Sequence, residues 1–135
     1  MRRRAAILVV MLAGLTGCAY VTKQYHPAMP TFLVFFNPWS STLDATGAQT
    51  TATAAQAALK DPDATVQVVG FASTIGTDAA NDTLSKQRAA AVEAQLIADG
   101  VDASRVTSMS RGATPYQFSP QEARRVEIDI VHAGF

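Results

Sequence analysis

The chain has 135 residues, with eleven basic and eleven acidic side chains, so its formal net charge is zero. This length accommodates one domain of ordinary size, and the balanced charge gives no electrostatic case for nucleic-acid binding. Cys18 is the single cysteine, which excludes an internal disulfide, so an exported domain would depend on its apolar core for stability.

The N-terminal residues predict a secretory signal. Residues 2–4 are three arginines, and residues 5–15 form an apolar segment that is too short to span a bilayer comfortably. The segment ends in Leu-Thr-Gly-Cys (residues 15–18), which resembles the lipobox of bacterial lipoproteins, where the cysteine becomes the diacylated N-terminus of the mature chain. We therefore expect a lipoprotein signal peptide over residues 1–17 and lipidation of Cys18. An ordinary signal peptide with an incidental cysteine is the alternative.

A tether and then a domain follow the expected lipidation site. By resemblance to the sorting rule of Gram-negative lipoproteins, Ala19 after the cysteine favours the periplasmic face of the outer membrane. Residues 18–30 contain Pro27 and Pro30 and have no periodicity, which predicts a lipidated cysteine followed by a short extended tether. The domain is then expected over residues 31–135.

The first half of the domain predicts a strand and a helix of small residues. Residues 31–36 (TFLVFF) are rich in aromatic and β-branched side chains, as is typical of a strand, and Asn-Pro follows them. Asp44 is the expected N-cap of a helix over residues 45–59. The spacing predicts that the helix packs closely against a sheet through one stripe of side chains: Ala45, Ala48, Ala52, Ala55 and Leu59.

A second strand, over residues 66–71, leads through a glycine-bearing loop into a helix over residues 78–99, with Gly100 just beyond. Five residues of this helix share one stripe by their spacing: Asn81, Ser85, Arg88, Val92 and Leu96. Because the stripe ends in apolar residues, we expect it to face the sheet. Arg88 therefore stands where a core residue would be expected.

Two more strands complete the predicted fold. Residues 105–109 predict a third strand, and residues 126–131 (VEIDIV) alternate as a fourth, after a loop with Gly112, Pro115 and Pro120. The order β-α-β-α-β-β predicts an α/β (α+β) two-layer sandwich of one sheet and two helices.

Three blocks of the sequence resemble the OmpA-like peptidoglycan-binding domain, the C-terminal domain of OmpA that also occurs in Pal and MotB. Residues 35–43 (FFNPWSSTL) resemble its opening strand and first helix entry. Residues 66–89 resemble a strand ending in Gly-His-Thr/Ala-Asp-x-x-Gly, followed by Asn-x-x-Leu-Ser-x-x-Arg-Ala, and residues 124–128 (RRVEI) resemble the closing Asn-Arg-Arg-Val-Glu-Ile. The resemblance covers essentially the whole domain. It implies an outer-membrane lipoprotein that binds peptidoglycan non-covalently and links the envelope to the cell wall.

The resemblance also implies a pocket for the meso-diaminopimelate of the stem peptide. In the family, a loop Asp and the Arg of Leu-Ser-x-x-Arg-Ala hold the ammonium and the carboxylate of this zwitterionic end. Arg88 falls on the family arginine, Asn81 on the asparagine that helps to shape the pocket, and Arg124 on the first closing arginine, a second anion contact. Gly70 and Gly76 match the two glycines of the family loop. Phe71 and Ser73 stand where the family has His and Asp.

The neutral residue at position 73 leaves three alternatives. Exchanging a charged hydrogen bond for a neutral one costs about 1–2 kcal/mol, which is about tenfold to thirtyfold in affinity. The first alternative is therefore weakened peptidoglycan binding, with Arg88 still holding the carboxylate. The second is an amidated or otherwise altered stem peptide. The third is an OmpA-like fold that has lost the wall ligand and acts as a structural or protein-interaction module of an envelope complex.

Other readings of the same residues remain open. Without the resemblance, Arg88 would most often be a solvated helix residue or a structural ion-pair partner. The aromatic residues Phe71, Tyr116 and Phe118 could stack on a sugar or simply pack. Arg124 and Arg125 could be charges that protect an edge strand, with nearby acids to pair with: Glu122 and Glu127.

Catalysis is not expected from this sequence. It shows no nucleophile with a base and no promising pair of carboxylates, and its two histidines are isolated. We expect no enzyme activity, no metal and no cofactor.

Overall fold

The computed structural model describes residues 29–132, which form one four-stranded sheet and two helices. The signal segment, Cys18 and most of the predicted tether lie outside these residues. The predicted order β-α-β-α-β-β is confirmed, and the elements are β1 (Phe32–Phe35), α1 (Ala45–Lys60), β2 (Thr65–Ala72), α2 (Asp78–Ala98), a 3₁₀ turn (Ala103–Arg105), β3 (Val106–Ala113) and β4 (Arg125–Val131).

The sheet order places the last strand inside the sheet. The strands lie in the order β1-β4-β2-β3, with β2 and β3 parallel and β4 antiparallel to both of its neighbours. It follows that β1, β2 and β3 run in one direction. The loops that follow β1, β2 and β3, the last of which leads into β4, therefore meet at one end of the sheet, which we call the loop end.

The core lies between the helices and one face of the sheet. Side chains alternate along β4, where Val126, Ile128 and Ile130 are buried and the residues between them are half-buried. They pack in one cluster with Val34, Val66 and Val68 of the sheet and with Val92 and Leu96 of α2. This alternation is the pattern of a sheet with only one face on the core. The predicted two-layer sandwich is confirmed.

Helix α2 confirms the predicted stripe. Asn81, Ser85, Arg88, Val92 and Leu96 are all buried. Thr77 caps the helix by accepting a hydrogen bond from the backbone N–H of Ala80, and Asp78 lies in the first turn. Gly100 follows the helix with a φ of 105°, the left-handed conformation that ends many helices.

Helix α1 corrects the predicted stripe. Asp44 is the N-cap, as predicted, but the buried residues are Gly47, Thr51, Ala54, Ala55 and Ala58, while Leu59 is 48% exposed. The inward face is rotated away from the predicted one, because alanines occupy several faces of this helix and give a weak directional signal. Thr51 is buried, and its hydroxyl is hydrogen-bonded, since its Oγ1 donates to the carbonyl of Gly47 at 2.8 Å.

The third strand is the other correction. All other helices and strands begin and end within one residue of their predicted bounds, but β3 continues to Ala113 and includes Gly112. Its second half is polar and carried no apolar alternation. It remains a strand because it pairs with β2 across an irregularity near Gly70, and because the Gly112 N–H donates to the buried Ser85 hydroxyl at 3.1 Å.

No helix within residues 29–132 combines the length and the apolar character that crossing a membrane requires.

A glycine fixes how closely α2 lies on the sheet. A Cβ added at Gly70 would stand 2.1 Å from the backbone carbonyl oxygen of Ser85. We predict that Gly70→Ala lowers the free energy of unfolding by about 3 kcal/mol or more, because backbone must move to make room. Gly112→Ala is the control. Its added Cβ would meet only atoms at 3.7 Å or beyond, and its φ of 62° costs about 1–2 kcal/mol. Equal decreases in the free energy of unfolding for the two variants, measured by urea denaturation, would contradict the prediction.

Candidate functional site

A cavity of about 260 Å³ opens at the loop end of the sheet. Its walls come from the loop after β1, the loop after β2, helix α2 and the loop before β4. The residues that line it are Pro38, Trp39, Ser73, Ile75, Leu84, Arg88, Pro120 and Arg124. Three of the six residues predicted for the stem-peptide site, Ser73, Arg88 and Arg124, are thus brought together.

Arg88 connects three segments at the floor of this cavity. Its side chain is 0% exposed. The guanidinium donates from Nε to the carbonyl of Ser40 at 2.8 Å, from Nη1 to that of Phe71 at 3.1 Å and from Nη2 to that of Asn37 at 3.2 Å. These three bonds use three of its five N–H groups. Arg88 therefore holds these segments together as well as lining the cavity. It is neither a solvated helix residue nor the partner of an ion pair.

The charge of Arg88 is retained at neutral pH. Burial, and secondarily the like charge of Arg124, lower the pKa of Arg88 from its ordinary value to about 10. The face of the Phe36 ring, whose centroid lies 5.3 Å from the Arg88 Cζ atom, gives a favourable cation–π contact.

Arg124 is the accessible cation of the cavity. It is half-buried, and its Nε donates to the carbonyl of Phe36 at 3.2 Å, which leaves both terminal nitrogens for another acceptor. Among the described residues that line the cavity, none is acidic. The cavity therefore presents two guanidinium groups without a neutralising carboxylate, a combination that favours an anion.

The nearby acids are engaged elsewhere. Glu127 forms an ion pair with Arg125 at 2.8 Å, and the Arg125 guanidinium lies over the ring of Phe71, with its Cζ 4.1 Å from the ring centroid. Glu122 accepts hydrogen bonds from the backbone N–H groups of three successive residues: Gln117, Phe118 and Ser119. Pairing is thus confirmed for Arg125 with Glu127.

Ser73 is the neutral polar group of the cavity wall. It is half-buried, and its Oγ accepts a hydrogen bond from the backbone N–H of Ile75 at 3.3 Å. The hydroxyl hydrogen is still available to a ligand, because a serine can accept and donate at the same time.

Asn81 supports the loop rather than lining the cavity. It is buried, and its Nδ2 donates to the carbonyl of Ile75 at 3.0 Å. Its Oδ1 is buried without a hydrogen-bond partner. The structure places Asn81 behind the loop that carries Ser73 and Ile75.

Gly70 and Phe71 contribute through their backbone. Gly70 lies under α2, and Phe71 offers its carbonyl to Arg88 while its ring lies beneath Arg125. Neither lines the cavity. Phe118 is 90% exposed, and neither it nor Tyr116 lines the cavity.

The apolar walls were not predicted from the sequence. Trp39 is 61% exposed and Ile75 is 55% exposed, and both line the cavity. Trp39 has a φ of 56°, a conformation that bulky residues rarely adopt and that is often found at functional sites. Its ring lies against Gly76, where an added Cβ would be 3.0 Å from the Trp39 Cη2 atom. The one sequence feature that could have indicated this wall is the single tryptophan of the chain, which directly follows Asn-Pro.

We predict that Arg88→Lys lowers the free energy of unfolding by about 2–4 kcal/mol. An ammonium cannot reproduce the planar fork that donates to three carbonyls, and each partly buried hydrogen bond to a charged group contributes about 1.5–3 kcal/mol. Arg124→Lys is the control and should cost about 1 kcal/mol or less, since it removes one hydrogen bond. Both are measured by chemical denaturation. A loss for Arg88→Lys no larger than that for Arg124→Lys would argue against this structural role of Arg88.

The fold resembles solved structures of envelope proteins. The peptidoglycan-associated lipoprotein from Burkholderia pseudomallei superposes with a TM-score of 0.66 at 22% identity, covering 73% of this chain and 88% of that one. The OmpA-like domain of FopA1 from Francisella tularensis gives a TM-score of 0.67 at 24% identity, covering 77% of this chain and 75% of the other. At this level of identity, the likeness establishes the fold alone.

Sequence relatives are closer. The chain is 38% identical over 134 residues to "Outer membrane protein A" of Bordetella avium, covering 87% of this chain and 69% of that protein. It is 36% identical over 103 residues to "Probable lipoprotein YiaD" of Escherichia coli, covering 72% of this chain but 47% of that protein. The model of the OmpA family matches residues 35–127, which include every residue that lines the cavity. The chain therefore belongs to the OmpA family and carries an OmpA-like domain.

Proposed function

We propose that this protein binds peptidoglycan non-covalently through the cavity at the loop end and is held at the outer membrane by a lipid on Cys18. The observation that carries the proposal is the convergence of Arg88 and Arg124 on a cavity whose described lining residues include no acid. The stem peptide of peptidoglycan supplies a matching carboxylate. The role is one of binding rather than catalysis.

The two arginines have different tasks in this proposal. Arg124 offers its terminal nitrogens directly to the stem carboxylate, because it is half-buried and donates one hydrogen bond within the protein. Arg88 is fixed by three carbonyls and, because it is fully buried, contributes a positive charge beneath the cavity rather than a direct contact. A carboxylate that reaches Arg124 forms charge-assisted hydrogen bonds with it, which are the stronger kind, and the charge of Arg88 adds to the attraction.

The walls of the cavity suit the rest of the ligand. Trp39, Ile75 and Leu84 present apolar surface to the aliphatic part of the diaminopimelate side chain, and Ser73 offers a hydrogen bond at its end. Apolar walls also exclude water, which strengthens the contact between the carboxylate and the guanidinium groups. We propose that Asn81 and Gly70 act indirectly, by holding the loop after β2, and that Phe71 acts through its carbonyl.

The membrane anchor has separate support. The Leu-Thr-Gly-Cys motif ends at Cys18, and one sequence relative is named a probable lipoprotein. We propose that the lipid places the domain at the periplasmic face of the outer membrane, where it connects the membrane to the wall.

Pelleting with purified peptidoglycan sacculi tests the binding proposal. We use fragment 19–135, which omits the leader and retains all described strands, helices and core residues. The fragment is expected to pellet with sacculi, and Arg124→Ala to weaken this at least about tenfold, since a lost charged hydrogen bond is worth about 1.5–3 kcal/mol. Arg111→Ala, an exposed arginine of β3 outside the cavity, is the control.

Arg124→Ala is preferred to Arg88→Ala as the binding variant, because removing Arg88 also disturbs the fold. Absence of pelleting by the unaltered fragment would overturn the proposal and favour the interaction module of an envelope complex. Equal weakening by the Arg111 and Arg124 variants would show that the attraction is unspecific.

Replacement of the lipidation residue tests the anchor. In cells that express the full chain, Cys18→Ser should abolish lipid attachment and release the protein from the outer-membrane fraction or leave it unprocessed. Fractionation and labelling with a fatty-acid analogue measure both effects. Unchanged membrane fractionation of the variant would refute anchoring through Cys18.

A further inference from the structure

We propose that the cavity selects stem peptides whose diaminopimelate amine is already acylated, as in cross-linked peptidoglycan, over stems with a free ammonium. This inference rests on the proposed function. It concerns the charge of the ligand group that lies beside the carboxylate.

The charge of the cavity disfavours a zwitterionic ligand. Arg88 and Arg124 are both cationic, and they are close enough for the charge of Arg124 to act on Arg88. The other described residues that line the cavity are uncharged. A carboxylate balances the two guanidinium groups, whereas an ammonium brought in with it would be repelled by both and would meet no carboxylate of the protein.

Ser73 suits an amide better than an ammonium. Its Oγ accepts one hydrogen bond from Ile75 N–H, so one lone pair and the hydroxyl hydrogen remain. The lone pair can accept from an amide N–H, and the hydroxyl can donate to an amide carbonyl. An ammonium would use only the acceptor and would leave two of its three N–H groups to find partners among apolar walls.

The exposed apolar residues of the cavity also favour an acylated amine. Trp39 and Ile75 are large and exposed and line the same cavity as Ser73, so they can cover the uncharged group that an amide bond adds to the side chain. Against the aliphatic side chain of Ile75 a free ammonium loses hydration without gaining a hydrogen bond, while an acyl group is stabilised by burial.

The carboxylate itself remains necessary. A stem in which this carboxylate is amidated would bring no charge to the two guanidinium groups and would leave them unpaired in a partly enclosed site. Of the altered stems, the structure therefore favours an acylated amine over an amidated carboxylate.

Calorimetric titration of fragment 19–135 tests the selectivity with three stem tripeptides that end in meso-diaminopimelate. One has a free side-chain amine, one is acetylated there, and one has hydrogen in place of the amine. We expect the acetylated and amine-free peptides to bind at least about threefold more tightly than the free amine. The amine-free peptide separates the effect of charge from that of added bulk.

Ser73→Asp is the matched variant, because it exchanges the neutral hydroxyl of the wall for a carboxylate of similar size. It should reverse the preference, so that the free amine binds at least about tenfold more tightly than the acetylated peptide, since charge-assisted hydrogen bonds are about twice as strong as neutral ones. Sacculus pelleting of the same preparations runs in parallel and reports on the proposed function.

The possible outcomes separate the two proposals. A preference of the unaltered fragment for the free amine overturns the selectivity and leaves the proposed function in place. Pelleting with sacculi but no binding of any tripeptide also overturns the selectivity, because the cavity is then not the stem site. Failure to pellet removes the proposed function itself.

Discussion

The guanidinium of Arg88 is the interaction on which the loop end depends. It lies on the buried face of α2 and donates to carbonyls of the loop after β1 and of the end of β2. Burying an arginine is costly unless its donors are satisfied. Here the helix lies close enough to the sheet, through Gly70, for the fork to reach three acceptors. One side chain thereby fixes the position of the loop after β1 relative to the end of β2, a strand that does not pair with β1, and the cavity there has a defined shape.

The hydrogen bonds that hold Arg88 also determine the electrostatic character of the site. Since the carbonyls that hold Arg88 are neutral, its charge is stabilised without being cancelled. Arg124 reaches the cavity because β4 is inserted beside β1, where the Phe36 N–H pairs with the Arg124 carbonyl at 2.9 Å. On the opposite face of the sheet, Arg125 does have an acidic partner, Glu127. Two adjacent arginines thus point to different environments, and only the one at the cavity is left without a carboxylate.

The sequence predicted the structure well where the identity of a side chain alone determines whether it is buried. All five residues predicted for the stripe of α2 are buried, because the large apolar residues at the end of the stripe mark its inward face. The stripe of α1 was wrong because alanine marks several faces alike, and β3 was underestimated because its second half is held by pairing and by Ser85 rather than by apolar alternation. Arg88, Ser73 and Arg124 were predicted to share a site and do line one cavity. The walls formed by Trp39 and Ile75 depend on loop conformations with positive φ, which no local pattern specified.

Residue 73 can change without changing the fold. Ser73 contributes one hydrogen bond to its own loop, at 3.3 Å, whereas Arg88 is required by three segments at once. The positive half of the site is therefore tied to folding stability, while the group opposite it is constrained chiefly by the ligand. A substitution at residue 73 alters the charge that the cavity offers and leaves the sheet, the helices and Arg88 in place. This separation allows an OmpA-like fold to be retained when the residue at position 73 changes.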